Sequence, residues 1–217
     1  MGEIDYWAGK YVKQKKETGS MKKPEVVQDE SNNKVVLIPD IIFVNKQNIN
    51  WNEVEVYLEK YIGESVIITD SGDTIYLGNA FPNEFAGSKY TRTAKGARAK
   101  AKANAVQGIK EIIEIATNKT FRKNHKEKHN SDAGNGWYYY TTRFALPIYD
   151  NDIKTNQYNV YTGCLVVNCT VGGKMYLYDL VDIKKKQVTH SRLSCSQMVQ
   201  NRFSLTNKLT YEFVFVK

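Results

Sequence analysis

Between His125 and Arg143 the chain gathers groups that could cut a phosphodiester without a metal. His125, Lys126, Lys128 and His129 precede three consecutive tyrosines (Tyr138, Tyr139, Tyr140), the pair Thr141-Thr142, and Arg143. Such cleavage needs a base for the 2′-hydroxyl proton, an acid for the leaving oxygen, and fixed cations or donors for the phosphorane charge. Imidazole serves as acid or base near neutral pH. In this reading His129 is the general base or acid, Lys128 and Arg143 clamp the phosphate, Tyr140 stacks or donates a proton, and Thr142 completes the set. Strand alternation argues against it: Tyr138, Tyr140 and Thr142 fall on one face, Tyr139, Thr141 and Arg143 on the other, so only a bulge or twist could converge Tyr140 and Arg143. The plain alternative is a solvated histidine loop beside a strand with a half-buried aromatic face.

Other chemistries have less behind them. His125 and His129 would share a helix face, but Lys-Glu-Lys lies between them with no third ligand nearby, so no metal is expected. His190, between Thr189 and Ser191, is either a second acid–base group or a surface imidazole. No nucleophile elbow, phosphate-binding glycine loop or carboxylate pair appears, and no cofactor is expected.

The charge is one-sided. The 217 residues carry a net charge of +8, and tyrosine, at 15, outnumbers phenylalanine and tryptophan together. A basic, tyrosine-rich surface suits a polyanion, because lysines meet phosphates and aromatic faces stack on bases. From Lys89 to Lys128 twelve cations stand against Glu111, Glu114 and Glu127. Lys89, Arg92, Lys95, Arg98, Lys100, Lys102, Arg122 and Lys126 are the candidate nucleic-acid contacts; a merely solvated helix face is the alternative. Cys164, Cys169 and Cys195 have no metal spacing, and the first two fall on opposite faces of a strand, so they read as reduced intracellular thiols. No apolar run spans a membrane, and the first residues lack a signal-peptide core, so a cytoplasmic protein is expected.

The elements expected to position these groups form an α+β fold. Residues 1–33 read as an extension or linker with a possible short helix, and 34–80 as a small N-terminal αβ unit. That unit holds a strand-like run divided by Pro39, a helix from Trp51 with Val54, Leu58, Tyr61 and Ile62 as its stripe, and a hairpin around Asp70–Asp73. Residues 81–217 read as a long basic helix, Ser88 to Asn118, followed by a four-stranded antiparallel meander: Trp137–Tyr149, Tyr158–Thr170, Lys174–Lys184 and Leu209–Val216, with 34–80 expected to join it in one compact domain.

Several motifs resemble a domain of bacteriophage and conjugative-element polyvalent proteins. They are Phe81-Pro82-Asn83-Glu84-Phe85-Ala86-Gly87, Ala99-Lys100-Ala101-Lys102-Ala103-Asn104-Ala105, Gly136-Trp137-Tyr138, Arg143-Phe144-Ala145-Leu146-Pro147 and Lys174-Met175-Tyr176-Leu177-Tyr178-Asp179. The domain is similar to nucleases of the barnase, EndoU, colicin and RelE type, which implies a helix before a four-stranded meander and a role for a mobile element inside a bacterial host cell. The chain departs from that pattern at Tyr139 and Thr141, where the family has Arg and Asp, and at Asn168-Cys169, where it has Arg-His. It departs again where a Glu-Thr-Ser run follows the paired lysines, here Lys186-Gln187-Val188.

Three functions therefore stand open. One is a metal-independent endoribonuclease used as an effector. The second is a non-catalytic binder of nucleic acid, RNA more than DNA, or of a host protein or nucleoprotein, for instance a counter-defence inhibitor. The third is a structural or accessory module of a polyvalent protein, whose basic face serves only solubility.

Overall fold

A computed structural model describes residues 23–44, 48–124 and 133–186, and the backbone of 193–194. Its centre is one long hairpin. Strands β6 (Trp137–Asp150) and β7 (Ile153–Cys169) are rich in aromatic and β-branched residues and pair along nearly their whole length. Asn151 and Asp152 join them with φ of 46° and 64°, the left-handed pair that a two-residue hairpin turn requires. Strand β8 (Met175–Lys185) pairs antiparallel with β7.

Both flanks of this hairpin are filled from earlier in the chain. Strand β2 (Lys34–Leu37) lies parallel to β6 and carries β1 (Glu25–Gln28) outside it. On the far side β4 (Thr74–Tyr76) lies parallel to β8 and carries β3 (Ser65–Ile67). The order is β1-β2-β6-β7-β8-β4-β3, with β5 (Thr117–Arg122) on the first part of β6 and β9 (Leu193–Ser194) on β7.

This α+β architecture corrects the expected one. Residues 34–80 do not form an N-terminal αβ unit, because β2, β3 and β4 join the central sheet on opposite sides. The sheet is mixed rather than a four-stranded meander; Leu209–Val216, the expected fourth strand, lies outside the described residues. Nor is Ser88 to Asn118 one helix. It breaks into α3 (Lys89–Thr93), α4 (Gly96–Ala105), a 3-10 turn (Val106–Gly108) and α5 (Ile109–Glu114), preceded by α2 (Phe81–Gly87). The breaks have local causes. Ser88 is extended and caps α3, its Oγ accepting from Thr91 N at 3.0 Å. Ala94 and Lys95 are extended, and Gly96 has φ of 57°. Asn118, also left-handed, sits inside what is already strand β5.

One face of the sheet is covered by these helices and by α1 (Trp51–Glu59). Phe81, Phe85, Ala101, Ala105, Ile109 and Ile112 from the helices meet Ile75, Tyr140, Phe144, Leu165, Leu177 and Leu180 from the strands. The alanines of α4 bring its backbone close to the sheet. Asn104 is fully buried there, its Oδ1 accepting from Ile42 N and Phe43 N at 2.8 and 3.1 Å, which pins the segment after Pro39. Among the described residues a small cluster is buried on the opposite face: Val35, Leu37, Ala145 and Val160.

The same core holds an ion pair. Lys102, expected on the surface, is fully buried; its ammonium meets the Asp179 carboxylate, donates to Thr91 Oγ1, and lies 4.4 Å from the Phe85 ring centre. The aim of Asp179 comes from a register shift in β8, after which Asp179 and Leu180 are both buried on the helix side. Burial pulls the Lys102 ammonium below its ordinary value and pushes the Asp179 carboxyl above its own, while their mutual attraction opposes both. Removing one partner leaves the other uncompensated. Lys102→Met is expected to lower unfolding free energy by about 3–5 kcal/mol in urea titrations, and Lys102→Met/Asp179→Leu to regain most of it. A single variant as stable as the parent would show that the pair does not anchor the core.

Candidate nucleic-acid interface

Short helices α3 and α4 present the basic run. From Phe85 to Lys110 there is no carboxylate, and Lys89, Arg92, Lys95, Arg98 and Lys100 are all exposed. Their backbone is fixed from below. Thr91 is buried, donates through Oγ1 to Phe85 O at 2.6 Å, and takes the Lys102 ammonium; Ser88 caps the helix beside it. Tyr90 Oη accepts from Ile183 N at 2.7 Å, which ties α3 to the end of β8. Lys184 and Lys185 follow there, both exposed. The basic surface thus combines two elements far apart in sequence, with exposed Asp182 and partly exposed Glu84 at its margin. Lys184 and Lys185 were not among the candidates drawn from the sequence, although a lysine run ending a strand marks them there.

The remaining sequence-derived candidates divide sharply. Tyr140 is buried, and its hydroxyl donates to Asp73 Oδ2 at 2.9 Å. Burial, then the neighbouring carboxylate, pushes the Tyr140 phenol far above its ordinary value, so it neither stacks on a ligand nor gives up a proton near neutrality. Thr142 is buried and donates to Ile112 O at 2.9 Å. Arg143 pairs with Thr162 on the other face, and β6 has no bulge between Trp137 and Pro147 to bring it round. Lys102 belongs to the core. These four placements correct the assignment of Tyr140, Thr142 and Arg143 to one catalytic point and of Lys102 to the surface. Arg122 is exposed on β5, its guanidinium 4.8 Å from the Tyr139 ring centre. His129, Lys128 and Lys126, with His125 and His190, lie outside the described residues. Of the departures from the polyvalent-protein pattern, Tyr139, Thr141 and Asn168 share the helix-free face, and Cys169 points into the core.

Among the described residues no group of His, Cys, Asp and Glu is arranged to hold a metal, and no helix is long and apolar enough to cross a membrane. No family model, curated protein or solved structure matches the chain.

Asp73 is the hub that absorbs Tyr140. It also accepts from Lys119 Nζ at 2.8 Å and from Ser71 Oγ at 2.5 Å. Burial alone would raise its carboxyl, but hydrogen bonds from Lys119, Ser71 and Tyr140 outweigh it and hold the group below its ordinary value of 3.8. A carboxyl depressed in the folded state stabilises above its unfolded value and loses that contribution as pH falls through the folded one. Stability should therefore drop below about pH 4, and Asp73→Asn should flatten that drop in acid unfolding curves. Tyr140→Phe is expected to cost about 1–3 kcal/mol of stability while leaving nucleic-acid affinity unchanged. A loss of affinity with unaltered stability would return Tyr140 to the functional site.

Proposed function

We propose that this protein binds nucleic acid without cutting it, through the exposed cations of α3 and α4 and the lysines that end β8. The observation that carries the reading is the unneutralised run itself. Five exposed cations lie within twelve residues, Lys89 to Lys100, on backbone fixed by buried hydrogen bonds, and the next cation along the chain, Lys102, is turned inward onto a carboxylate. Like charges this close repel one another and weaken the fold, so their concentration is best explained by a polyanion that relieves them. Binding of this kind releases condensed counterions and falls with salt. The catalytic reading has less support, since Tyr140 and Thr142 spend their hydroxyls on Asp73 and Ile112. The likeness to mobile-element polyvalent proteins suggests the setting, a counter-defence binder in a bacterial host cell.

Two measurements test this. Lys95→Glu/Arg98→Glu/Lys100→Glu should weaken RNA binding at least tenfold near 0.1 M salt and flatten the plot of log affinity against log salt by about 0.7 for each single-strand phosphate that is no longer neutralised. Unchanged affinity and slope would sink the proposal. Labelled RNA incubated with the protein in EDTA should stay intact; cutting that disappears in His129→Ala would reinstate the ribonuclease.

A further inference from the structure

The helix-free face of the sheet carries a straight row of side chains. Pairing registers align Arg122 with Trp137, Trp137 with Asn168, Asn168 with Tyr176, Tyr176 with Tyr76 and Tyr76 with Ser65. The row crosses β5, β6, β7, β8, β4 and β3 and, at about 4.8 Å per strand, extends roughly 24 Å. None of these six residues is buried, and none is a carboxylate. Ring planes are set by their neighbours: Tyr76 and Tyr176 lie 5.6 Å apart with their planes tilted at 43°, and Trp137 meets Tyr178 edge-on at 5.0 Å. A Cβ at position 78 would stand 3.0 Å from the Tyr176 ring, so Gly78 is what lets that ring lie against the backbone. Cations mark both ends. Lys174 Nζ is 5.6 Å from the Tyr76 ring centre, and Arg122, at the other end, covers Tyr139.

We infer that this row is a stacking platform for single-stranded nucleic acid. The inference deepens the binding reading above, on which it rests, by naming the substrate class. Aromatic faces on a sheet accept unpaired bases whatever their identity, and platforms of this kind seat about two or three bases each. Arg122 and Lys174, both exposed, are placed for phosphates at the two ends. A duplex cannot use the row, because its bases are already stacked on one another. The α3–α4 cations lie on the other side of the sheet and attract any polyanion; this face selects the unpaired form.

The test is fluorescence anisotropy with labelled RNA and DNA strands of about 12 nucleotides and the corresponding duplexes, a length within the site sizes of such platforms. Single strands should bind at least tenfold tighter than duplex. Tyr76→Ala and Tyr176→Ala should each weaken single-strand binding by roughly 5- to 150-fold, the effect expected for one unstacked base, with the salt slope unchanged. Tyr76→Phe and Tyr176→Phe should bind like the parent. Arg122→Glu/Lys174→Glu alters only exposed side chains and should weaken the single strand more than the duplex, which tests the row even where an alanine variant unfolds. RNA bound tighter than DNA of the same sequence would assign the 2′-hydroxyl a role in binding, and equal binding of the two would define a platform blind to the sugar; both support the row. Equal affinity for single strand and duplex, with tyrosine variants like the parent and the α4 charge reversal still harmful, overturns the platform and leaves the basic surface standing. A parent protein that binds no polyanion overturns both.

Discussion

A buried ammonium and carboxylate organise this molecule. Lys102 rises from α4 into a cavity that would otherwise be filled by hydrocarbon, and Asp179 meets it from a strand that has to shift register to do so. Two charges withdrawn from water are costly unless each finds the other and the remaining valences are met. Here Thr91 Oγ1 accepts from the ammonium, Leu180 N donates to Asp179 Oδ1 at 2.7 Å, and the Phe85 ring faces the cation. The same Thr91 bonds Phe85 O, and Ser88 caps the helix in which Thr91 lies. One polar knot therefore joins α2, α3, α4 and β8, and it holds the helix backbone that carries the exposed cations between Lys89 and Lys100.

The sheet then separates two kinds of surface. Toward the helices its side chains are packed away: Tyr140 on Asp73, Thr142 on Ile112, Phe144 stacked on Tyr161. Away from them, alternate residues of the same strands keep Tyr139, Tyr176 and Tyr76 only partly covered. The strand that looked able to assemble a catalytic set therefore splits it. Tyr140 and Thr142 stabilise the fold, while Tyr139 and Arg143 look out on the other side.

What was legible in the sequence was local. The turn at Asp70–Asp73, with Gly72 left-handed, and the helix from Trp51 burying Val54 and Leu58 follow from rules that act within a few residues. So does the separation of Tyr140 from Arg143 and of Cys164 from Cys169, since alternation in a strand leaves no freedom. What was not legible depended on partners far along the chain. Lys102 looks like its basic neighbours until Asp179, 77 residues later, claims it. The alanine periodicity through α4 suggested one continuous helix, whereas Gly96 and the extended Ala94–Lys95 pair interrupt it so that the backbone can turn onto the sheet. Parallel pairing of β2 with β6 and β4 with β8 leaves no short-range trace, because neither strand is adjacent in sequence to its partner.

Those two parallel pairings also determine the order in which the chain can be assembled. On the inner edge of each strand, Val36 has no partner until Phe144 and Ile75 none until Met175, intervals of 108 and 100 residues. Hairpins close quickly, but loops this long give up much chain entropy before any pairing rewards them. During synthesis β1 and β2 can zip together early, yet β2 must keep its other edge unsatisfied until half of the chain more has emerged. Flanks from the first third of the protein therefore close onto a centre made later, and β2, with Val35, Val36 and Leu37 all buried in the finished fold, is the segment most in need of shelter while it waits.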